Sequence, residues 1–177
     1  MTTGATVKLR PPEEGDLRFL FSLRNNVRLQ MLLMSQPRAN SLQRVKDWVA
    51  KTSSDPRCVF FVIASVKDQR PLGYLQLANM DSVHGTADLG ICVDAAARGT
   101  GCAAEALLLL EEYARDVFNL RKIILRVLAS NSRAIAFYRK ARYQKVGLHR
   151  RHFYQRQVYH DVLIMEKFLA RSRPSQL

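Results

Sequence analysis

The pattern of apolar and polar positions predicts one strand and up to three helices in the first third of the chain. Residues 6–10 have the apolar and β-branched content of a short strand, which two prolines end. The pattern of residues 13–25 predicts a helix with acidic residues in its first turn. Residues 27–35 are compatible with a helix, but the spacing of their apolar residues does not decide it. Ser41 can cap a further helix that runs to about residue 53.

The rest of the chain alternates between strand-like and helix-like segments. Strands are predicted at residues 59–66, 72–79, 87–93, 122–128 and 158–167. A strongly apolar helix is predicted at residues 101–118, and Asn131 can cap another helix that ends near residue 141. Early helices, a meander of strands and then a β-α-β-α-β order indicate a mixed α/β domain of the α+β type with a largely antiparallel sheet.

Length and composition fit one compact domain. The chain has 177 residues, of which 47% are hydrophobic and 24% charged, so we expect a single domain over residues 1–177 with residues 171–177 as a loose tail. No apolar run approaches the roughly 18 residues of a membrane span, and the first residues do not resemble a secretory signal. Cys58, Cys92 and Cys102 lack C-x-x-C spacing, which argues against structural zinc and disulfides and favours the cytoplasm.

The formal net charge is +13, and the excess is concentrated in one stretch. Residues 117–160 contain eleven Lys and Arg and no Asp or Glu. Such a field attracts anions, which could be the phosphates of a cofactor, of a nucleotide-linked substrate or of RNA. A solvated basic surface without a ligand explains the same stretch, so both interpretations stay open here.

A glycine-bearing loop between a strand and a long helix is the most informative segment. Residues 93–103 run from the strand end through Arg98, Gly99 and Gly101 into the helix. The first N–H groups of a helix have no internal partner, and the helix dipole places partial positive charge there, so phosphate binding is a natural use. Neither a Walker loop nor G-x-G-x-x-G is present. Taken alone, the segment also fits a plain tight turn.

Two motifs in order resemble the GNAT acetyltransferase family. Arg98-Gly99-Thr100-Gly101-Cys102-Ala103 is similar to the family signature Arg/Gln-x-x-Gly-x-Gly/Ala. Residues 131–140 resemble its second landmark, an Asn and an Ala followed by Phe-Tyr-x-Lys, about thirty residues further on. The resemblance covers residues 72–168 well. It implies a mixed, mostly antiparallel sheet of about six to seven strands flanked by about four helices, and acetyl-CoA as co-substrate for transfer to a primary amine.

One position departs from the family pattern. The family usually has glycine after its second helix, whereas this chain has Lys140-Ala141-Arg142-Tyr143. If Arg142 adopts a left-handed conformation, it is less stable there than glycine by about 1 kcal/mol. We expect this departure to affect local stability more than chemistry.

The resemblance also implies roles for individual residues. The backbone amides from residue 99 to residue 103 would hold the pyrophosphate, residues at the end of the preceding strand would lie along the pantetheine arm, and Asn131 would hydrogen-bond that arm. Lys140, together with Arg139, is assigned to the 3′-phosphate of CoA on the basis of charge alone. The complete set predicted to bind acetyl-CoA is Cys92, Val93, Arg98, Gly99, Thr100, Gly101, Cys102, Ala103, Asn131 and Lys140. No metal is implied.

Acetyl transfer needs a deprotonated amine, a donor to the thioester carbonyl and a proton for the leaving thiolate. Tyr138 is the candidate acid, Asp88 the candidate base acting directly or through water, and a backbone amide near Val93 the donor to the carbonyl. Tyr138 could instead be a core tyrosine with a satisfied hydroxyl, and Asp88 an exposed strand carboxylate. Cys102 is more consistent with helix packing than with a nucleophile. His149 or His152 could line the acceptor site.

The acceptor amine is the least determined feature. The chain resembles a subgroup of spermidine, ribosomal-protein N-terminal and nucleotide-amino-sugar acetyltransferases. Carboxylates that could hold a polycation are few, so a nucleotide-linked amino sugar ranks first, a peptide N-terminus second and a polyamine third. A catalytically silent CoA-binding protein or a nucleic-acid-binding module are the non-enzyme alternatives, although aromatic residues are not interleaved with the basic ones. A homodimer would fit the family.

Overall fold

The computed structural model of the chain describes residues 2–169, and all of its strands lie in one sheet. The eight strands are β1 (Thr2–Thr3), β2 (Val7–Arg10), β3 (Val59–Ser65), β4 (Pro71–Asp81), β5 (Thr86–Val93), β6 (Lys122–Leu128), β7 (Gln144–Gln155) and β8 (Val158–Phe168). The five α-helices are α1 (Leu17–Asn25), α2 (Val27–Leu32), α3 (Leu42–Ser54), α4 (Cys102–Phe118) and α5 (Ser132–Lys140).

The sheet is antiparallel except at one central contact. Its strand order is β1-β2-β3-β4-β5-β6-β8-β7, and only β5 and β6 run parallel. Helix α4 connects these two strands, as a crossover between parallel neighbours requires. The parallel contact therefore marks the place where the meander of early strands meets the second half of the chain.

Both faces of the sheet are covered by helices. Because alternate residues of a strand point to opposite faces, Phe61 and Ile63 of β3 pack in the cluster that contains the apolar side of α4. Phe60 and Val62 pack on the other face with α1 and α3, where Val45 is fully buried. The buried, alternating positions of β3 explain why its sequence reads as a continuous apolar run.

Two polar contacts fix the N-terminal segments to this frame. Arg10 at the end of β2 makes a bidentate ion pair with Asp16, at 2.6 and 2.8 Å, and both side chains are buried. Glu105 in the first turn of α4 accepts hydrogen bonds from the backbone N–H and the hydroxyl of Thr6. These contacts position the start of α1 and tie the first strands to the beginning of α4.

The mixed fold class with a mostly antiparallel sheet is confirmed, while the element counts are higher than expected. In residues 2–169 there are eight strands rather than six to seven and five α-helices rather than about four. The segment at residues 27–35 contains a helix, α2, and the predicted helix at 13–25 begins as a 3₁₀ turn before α1. Strand β7 was not predicted because nearly all of its side chains are exposed, which removes the apolar alternation.

Two further expectations concern the C-terminal tail and membrane-spanning segments. The predicted loose tail at residues 171–177 lies outside the described residues. No helix within residues 2–169 combines the length and the apolarity needed to cross a bilayer.

Candidate active site

A cleft opens where the two parallel strands separate. β5 and β6 pair only from Thr86 to Asp88 against Lys122 to Ile124. Beyond that point β5 remains paired with β4 as far as Val93, and β6 remains paired with β8 as far as Leu128. The facing edges of β5 and β6 therefore do not pair beyond residue 88 of β5 and residue 124 of β6. Their unpaired backbone groups line a cleft of about 440 Å³.

The glycine loop closes one end of this cleft. Gly99 and Gly101 have φ angles of 87° and 89°, in the left-handed region that favours glycine. A Cβ atom built on either glycine would meet no atom of residues 2–169 within 4 Å, so the described chain leaves the space in front of the loop open to a ligand. Gly101 is the N-cap of α4, whose first N–H groups and dipole face the same end. The loop thus has the geometry of an anion cradle.

The loop is held in shape by its own polar groups. The Thr100 hydroxyl donates to the carbonyl oxygen of Ala97 at 2.8 Å, and the buried Cys102 thiol donates to the same oxygen at 3.2 Å. Arg98 donates from Nε to the carbonyl oxygen of Val93 at 3.2 Å, which leaves the outer part of its guanidinium beside the cleft. The side chains of Thr100 and Cys102 therefore shape the loop and do not line the cleft.

Helix α5 begins at the opposite wall. The Asn131 side chain caps it by accepting from the N–H of Ala134 at 3.1 Å, as the sequence predicts. Its amide nitrogen makes no recorded hydrogen bond to the described part of the chain and remains able to donate into the cleft. Arg133 also lines the cleft, whereas Lys140 is exposed at the far end of α5, about 13 Å along the helix axis. Lys140 therefore stays a prediction outside the cleft lining.

Tyr138 lies on the face of α5 that borders the cleft. Its side chain is only 8% exposed, and burial raises the pKa of its phenol to about 12. Within residues 2–169 its hydroxyl has no recorded hydrogen-bond partner. The hydroxyl of the core residue Tyr143 also lacks a hydrogen-bond partner in residues 2–169, so it is the place of Tyr138 at the cleft wall that fits a proton donor to a ligand.

Asp88 lies at the point where β5 and β6 begin to separate. Its Oδ2 accepts from the Asn79 side chain at 2.9 Å, and the residue lines a second hollow of about 340 Å³. That hollow shares Leu33, Leu89 and Arg126 with the cleft. A carboxylate therefore lines a hollow that adjoins the cleft and shares three lining residues with it.

The second hollow also contains a histidine that the sequence offered as a candidate. Its remaining lining residues are Met34, Leu125, His152, Phe153 and Val162. His152 stacks on His149 with ring centroids 4.7 Å apart, so His149 supports it from outside the lining. Six of the nine lining residues are apolar, Asp88, Arg126 and His152 supply a comparable polar surface, and Asp88 and Arg126 are the oppositely charged members within the described chain.

Several lining residues were missed by reasoning from the sequence. Leu29, Leu32 and Leu33 of α2 and the following turn form one wall of the cleft, and Arg126 and Arg133 add cations that received no role. The i, i+3, i+4 spacing of the three leucines is the signal that could have identified a helix with one apolar face. Their position over the cleft depends on tertiary packing, which local pattern does not contain.

The residues predicted for acetyl-CoA fit the cleft in most cases. Those that line it are Cys92, Val93, Arg98, Gly99, Gly101, Ala103 and Asn131, and the predicted acid Tyr138 lines it as well. Open space at the two glycines, free edges on β5 and β6 and an unpartnered phenol together suit a long ligand with a phosphate group at one end. We expect acetyl-CoA to occupy this cleft.

Comparison with known proteins agrees with this geometry. Residues 6–144 match the family model for the acetyltransferase (GNAT) domain. Over 147 residues the chain is 31% identical to spermidine N(1)-acetyltransferase of Escherichia coli K12, covering 83% of this chain and 77% of the relative. A crystal structure of spermidine N-acetyltransferase from Vibrio cholerae with CoA and spermine matches with a TM-score of 0.86 and 25% identity, covering 92% and 95% of the two chains.

A further solved structure extends the comparison to assembly. A dodecameric structure of the Vibrio cholerae spermidine N-acetyltransferase matches with a TM-score of 0.78 and 26% identity, over 92% of this chain and 94% of that one. The family model alone spans well over half of the 177 residues. The chain therefore belongs to the GNAT acetyltransferase family and is an acetyl-CoA-dependent N-acetyltransferase.

Proposed function

We propose that the enzyme transfers acetyl directly from acetyl-CoA to a primary amine of a small aliphatic polyamine. The observation that supports this most is the Asp88 hollow, which has a carboxylate and six apolar lining residues and shares Leu33, Leu89 and Arg126 with the cleft. A methylene chain suits the apolar wall, and a protonated amine suits the carboxylate. The spermidine N-acetyltransferases among the relatives favour the same acceptor class.

The amino-sugar interpretation, ranked first from the sequence, has less support. It rested on the basic stretch at residues 117–160, but much of that charge lies elsewhere. Arg150, Arg151 and Arg156 are exposed on or beside the edge strand β7. Within the described chain, Arg126 is the one Lys or Arg that lines the Asp88 hollow. The local charge there is balanced rather than strongly positive, so the acceptor need not carry phosphate.

The proposed chemistry uses residues of this chain for both proton transfers. Asp88 accepts the proton of the incoming ammonium, directly or through water, while Asn79 fixes one of its oxygens. Tyr138, whose phenol is protonated at neutral pH, donates to the departing sulfur, and the second N–H proton lost as the amide forms restores the phenol. Acetyl-CoA supplies a thioester carbonyl that unpaired amides near Val93 would polarise.

A covalent acyl-enzyme is not part of this proposal. Cys92 is the cysteine that lines the cleft, and burial raises the pKa of its thiol to about 12, so it holds no thiolate at neutral pH. The Cys102 thiol is directed at the Ala97 carbonyl within the loop. Direct transfer in a ternary complex needs neither group.

Further properties belong to the same proposal. We keep a peptide N-terminus as the second acceptor, place the enzyme in the cytoplasm, and assign residues 1–177 to one acetyltransferase domain. The three free cysteines fit a reducing compartment, and one sheet containing all described strands fits a single domain. We regard nucleic acid as an improbable partner and propose self-association, a homodimer at least, in line with the dodecameric relative.

A thiol-release assay with acetyl-CoA tests the acceptor. The panel is spermidine, spermine, putrescine, a UDP-linked amino sugar and a peptide with a free N-terminus. We expect the highest kcat/KM with a polyamine, and a loss of about a hundredfold or more for Asp88→Asn as expected for a removed base. Preference for the amino sugar would restore the earlier ranking, and release with none of the amines would refute the proposal.

A further inference from the structure

A second polar pocket lies against a different side of α2 from the acetyl-CoA cleft. It encloses about 290 Å³ between the end of α1, the α2–α3 loop and the start of α3. All of its lining residues are polar or charged, namely Arg24, Gln30, Ser35, Gln36, Arg38, Asn40 and Arg44. It shares no lining residue with the cleft or with the Asp88 hollow.

The positive charge of this pocket is not balanced by nearby acids. Residues 17–46 contain six Arg and Lys and no Asp or Glu. Within residues 2–169, no carboxylate oxygen lies within 4.0 Å of the guanidinium groups of Arg24, Arg38 or Arg44. Asp47 lines an adjoining hollow together with Arg24 and Arg44, but its Oδ1 accepts from Gln43 at 2.7 Å and it makes no ion pair with either arginine within residues 2–169. Three cations thus border one space without a carboxylate partner within residues 2–169.

Arg24 is held in place before any ligand arrives. Its guanidinium lies 4.7 Å from the centroid of the Trp48 ring and donates to Gln30 Oε1 at 3.4 Å. Gln30 is only 2% exposed, and its Nε2 donates to the carbonyl oxygen of Leu23 at 2.9 Å, which fixes its orientation. A stacked and oriented guanidinium loses little freedom when it binds an anion.

The loop that carries Arg38 is also fixed. The Asn40 side chain donates to the carbonyl oxygens of Arg24 at 3.2 Å and Arg38 at 2.8 Å. Asn25 and Asn40 exchange two hydrogen bonds between side chain and backbone, at 2.9 and 3.2 Å. These contacts clamp the loop against the end of α1, so Arg38 and Arg24 border the same enclosed space.

We propose that this pocket binds a small multivalent oxyanion of the phosphate or polycarboxylate class. Arginine donors in fork geometry match the oxygens of such groups, and three of them exceed what a monovalent halide needs. The site is separate from the phosphate cradle at Gly99 and Gly101, and it goes beyond the proposed acetyl transfer. Its ligand is also opposite in charge to a polyamine.

Isothermal titration at constant ionic strength tests this assignment. Inorganic phosphate and citrate are titrated into the full chain, with sodium chloride as the reference, in the absence and in the presence of saturating CoA. With saturating CoA, which fills the cradle at Gly99 and Gly101, we expect one remaining site per chain for phosphate or citrate. Arg38→Gln combined with Arg44→Gln should weaken binding by about tenfold or more, because charge-assisted hydrogen bonds are lost.

The matched control removes the same charge from the same segment outside the pocket. Arg18 and Arg28 are exposed and do not line it, so Arg18→Gln combined with Arg28→Gln should change the affinity by less than about twofold. Three results would each overturn the proposal. The two double variants could weaken binding equally, binding could be lost when CoA is present, or phosphate and citrate could give no more heat than sodium chloride. Inactivity towards polyamines with phosphate binding intact would instead count against the proposed function alone.

Discussion

Two tyrosines near the end of α5 have similar burial but different surroundings. Tyr138 and Tyr143 have ring centroids 5.8 Å apart in the same apolar cluster. Tyr143 is 2% exposed, and burial together with the nearby Glu111 raises the pKa of its phenol far above the usual range. Tyr138 differs because it borders the cleft. The chain therefore provides its own control for a catalytic phenol.

Removing the Tyr138 hydroxyl should slow the chemical step. Tyr138→Phe is expected to lower kcat by about tenfold or more with little change in acetyl-CoA KM, because proton donation to sulfur matters in the transition state. Tyr143→Phe should leave kcat within about twofold. Steady-state kinetics on both variants checks this, and an unchanged kcat in Tyr138→Phe would remove that residue from the acid role.

Arg142 occupies the position where the family usually has glycine, and it does adopt a left-handed conformation, with φ at 68°. The N–H of Tyr143 bonds to the Tyr138 carbonyl and that of Arg142 to the Arg139 carbonyl, both at 2.9 Å, which forms a Schellman motif with Arg142 at C′. Arg142 therefore has the left-handed conformation that the sequence analysis considered for this position.

Arg142→Gly should stabilise the enzyme by about 1 kcal/mol, because glycine adopts positive φ without a Cβ penalty. For a chain of this size the corresponding rise in Tm is about 2–4 °C. Arg139→Gly, one turn earlier on the same helix, should destabilise by a similar amount. Thermal unfolding of the two variants should shift in opposite directions, and a shift in the same direction would contradict the strain argument.

The element that matters most for acetyl-CoA is the loop that opens into α4. The local sequence predicted this loop because two glycines directly precede an apolar helix pattern. Neither the glycine loop nor the start of the helix needs contacts with distant segments to form. Asn131 as a cap was predicted for the same reason. Where α2 lies and how far β5 and β6 separate depend on packing between distant segments, so the leucine wall and the Asp88 hollow were not predicted.

Gly101→Glu should abolish CoA binding. The side chain would start in open space in front of the loop, at a positive φ, and would place a carboxylate where phosphate is expected. Gly15→Glu is the control, because that position is also open but its φ is not positive. Calorimetry with CoA should show binding in the control alone, with circular dichroism reporting the fold of both. Intact binding by Gly101→Glu would mean that the loop is misassigned.

The Arg10–Asp16 pair joins strand β2 to helix α1 and predicts an acid dependence of stability. Burial alone would raise the pKa of Asp16, but the hydrogen bond from Arg10, the backbone bond at Glu13 and the Arg10 charge together lower it. A lowered pKa in the folded state means that the stabilisation is complete above the unfolded value of about 3.9 and is lost as the pH falls through the folded value.

Asp16→Asn should reduce the free energy of unfolding by about 3–5 kcal/mol at pH 7, because Arg10 stays buried without its partner. The difference between wild type and variant should shrink as the pH drops below about 4. Urea unfolding at several pH values checks both statements. Asp68→Asn serves as the control, since its ion pair with Arg70 is exposed and should contribute little. A difference independent of pH would contradict the assignment.

At the scale of the whole molecule, charge and exposed apolar surface meet on one edge of the sheet. Strand β7 is an edge strand of twelve residues that pairs only with β8 in the described chain. The exposed large apolar residues of this hairpin are Val146, Leu148, Tyr154, Val158, Tyr159 and Phe168. Basic residues of the 117–160 stretch, such as Lys145 and Arg150, lie on the same strand. The sequence showed this charge but not that it lies on an edge strand. An exposed edge strand has no buried face, so its apolar and polar residues do not alternate in the way that identifies a strand.

A long edge strand that exposes apolar side chains favours pairing with a second copy, while like charges oppose it. If self-association uses this edge, Val146→Lys combined with Leu148→Lys should reduce the molar mass measured by light scattering at micromolar concentration. Val117→Lys combined with Leu108→Lys, at equally exposed positions of α4, should not. The wild-type assembly should gain mass as salt rises from about 50 to 500 mM, because screening weakens repulsion between copies at net charge +13 while apolar contact persists. A mass that is unaffected by the β7 variant, or that falls with salt, would place the interface on another surface.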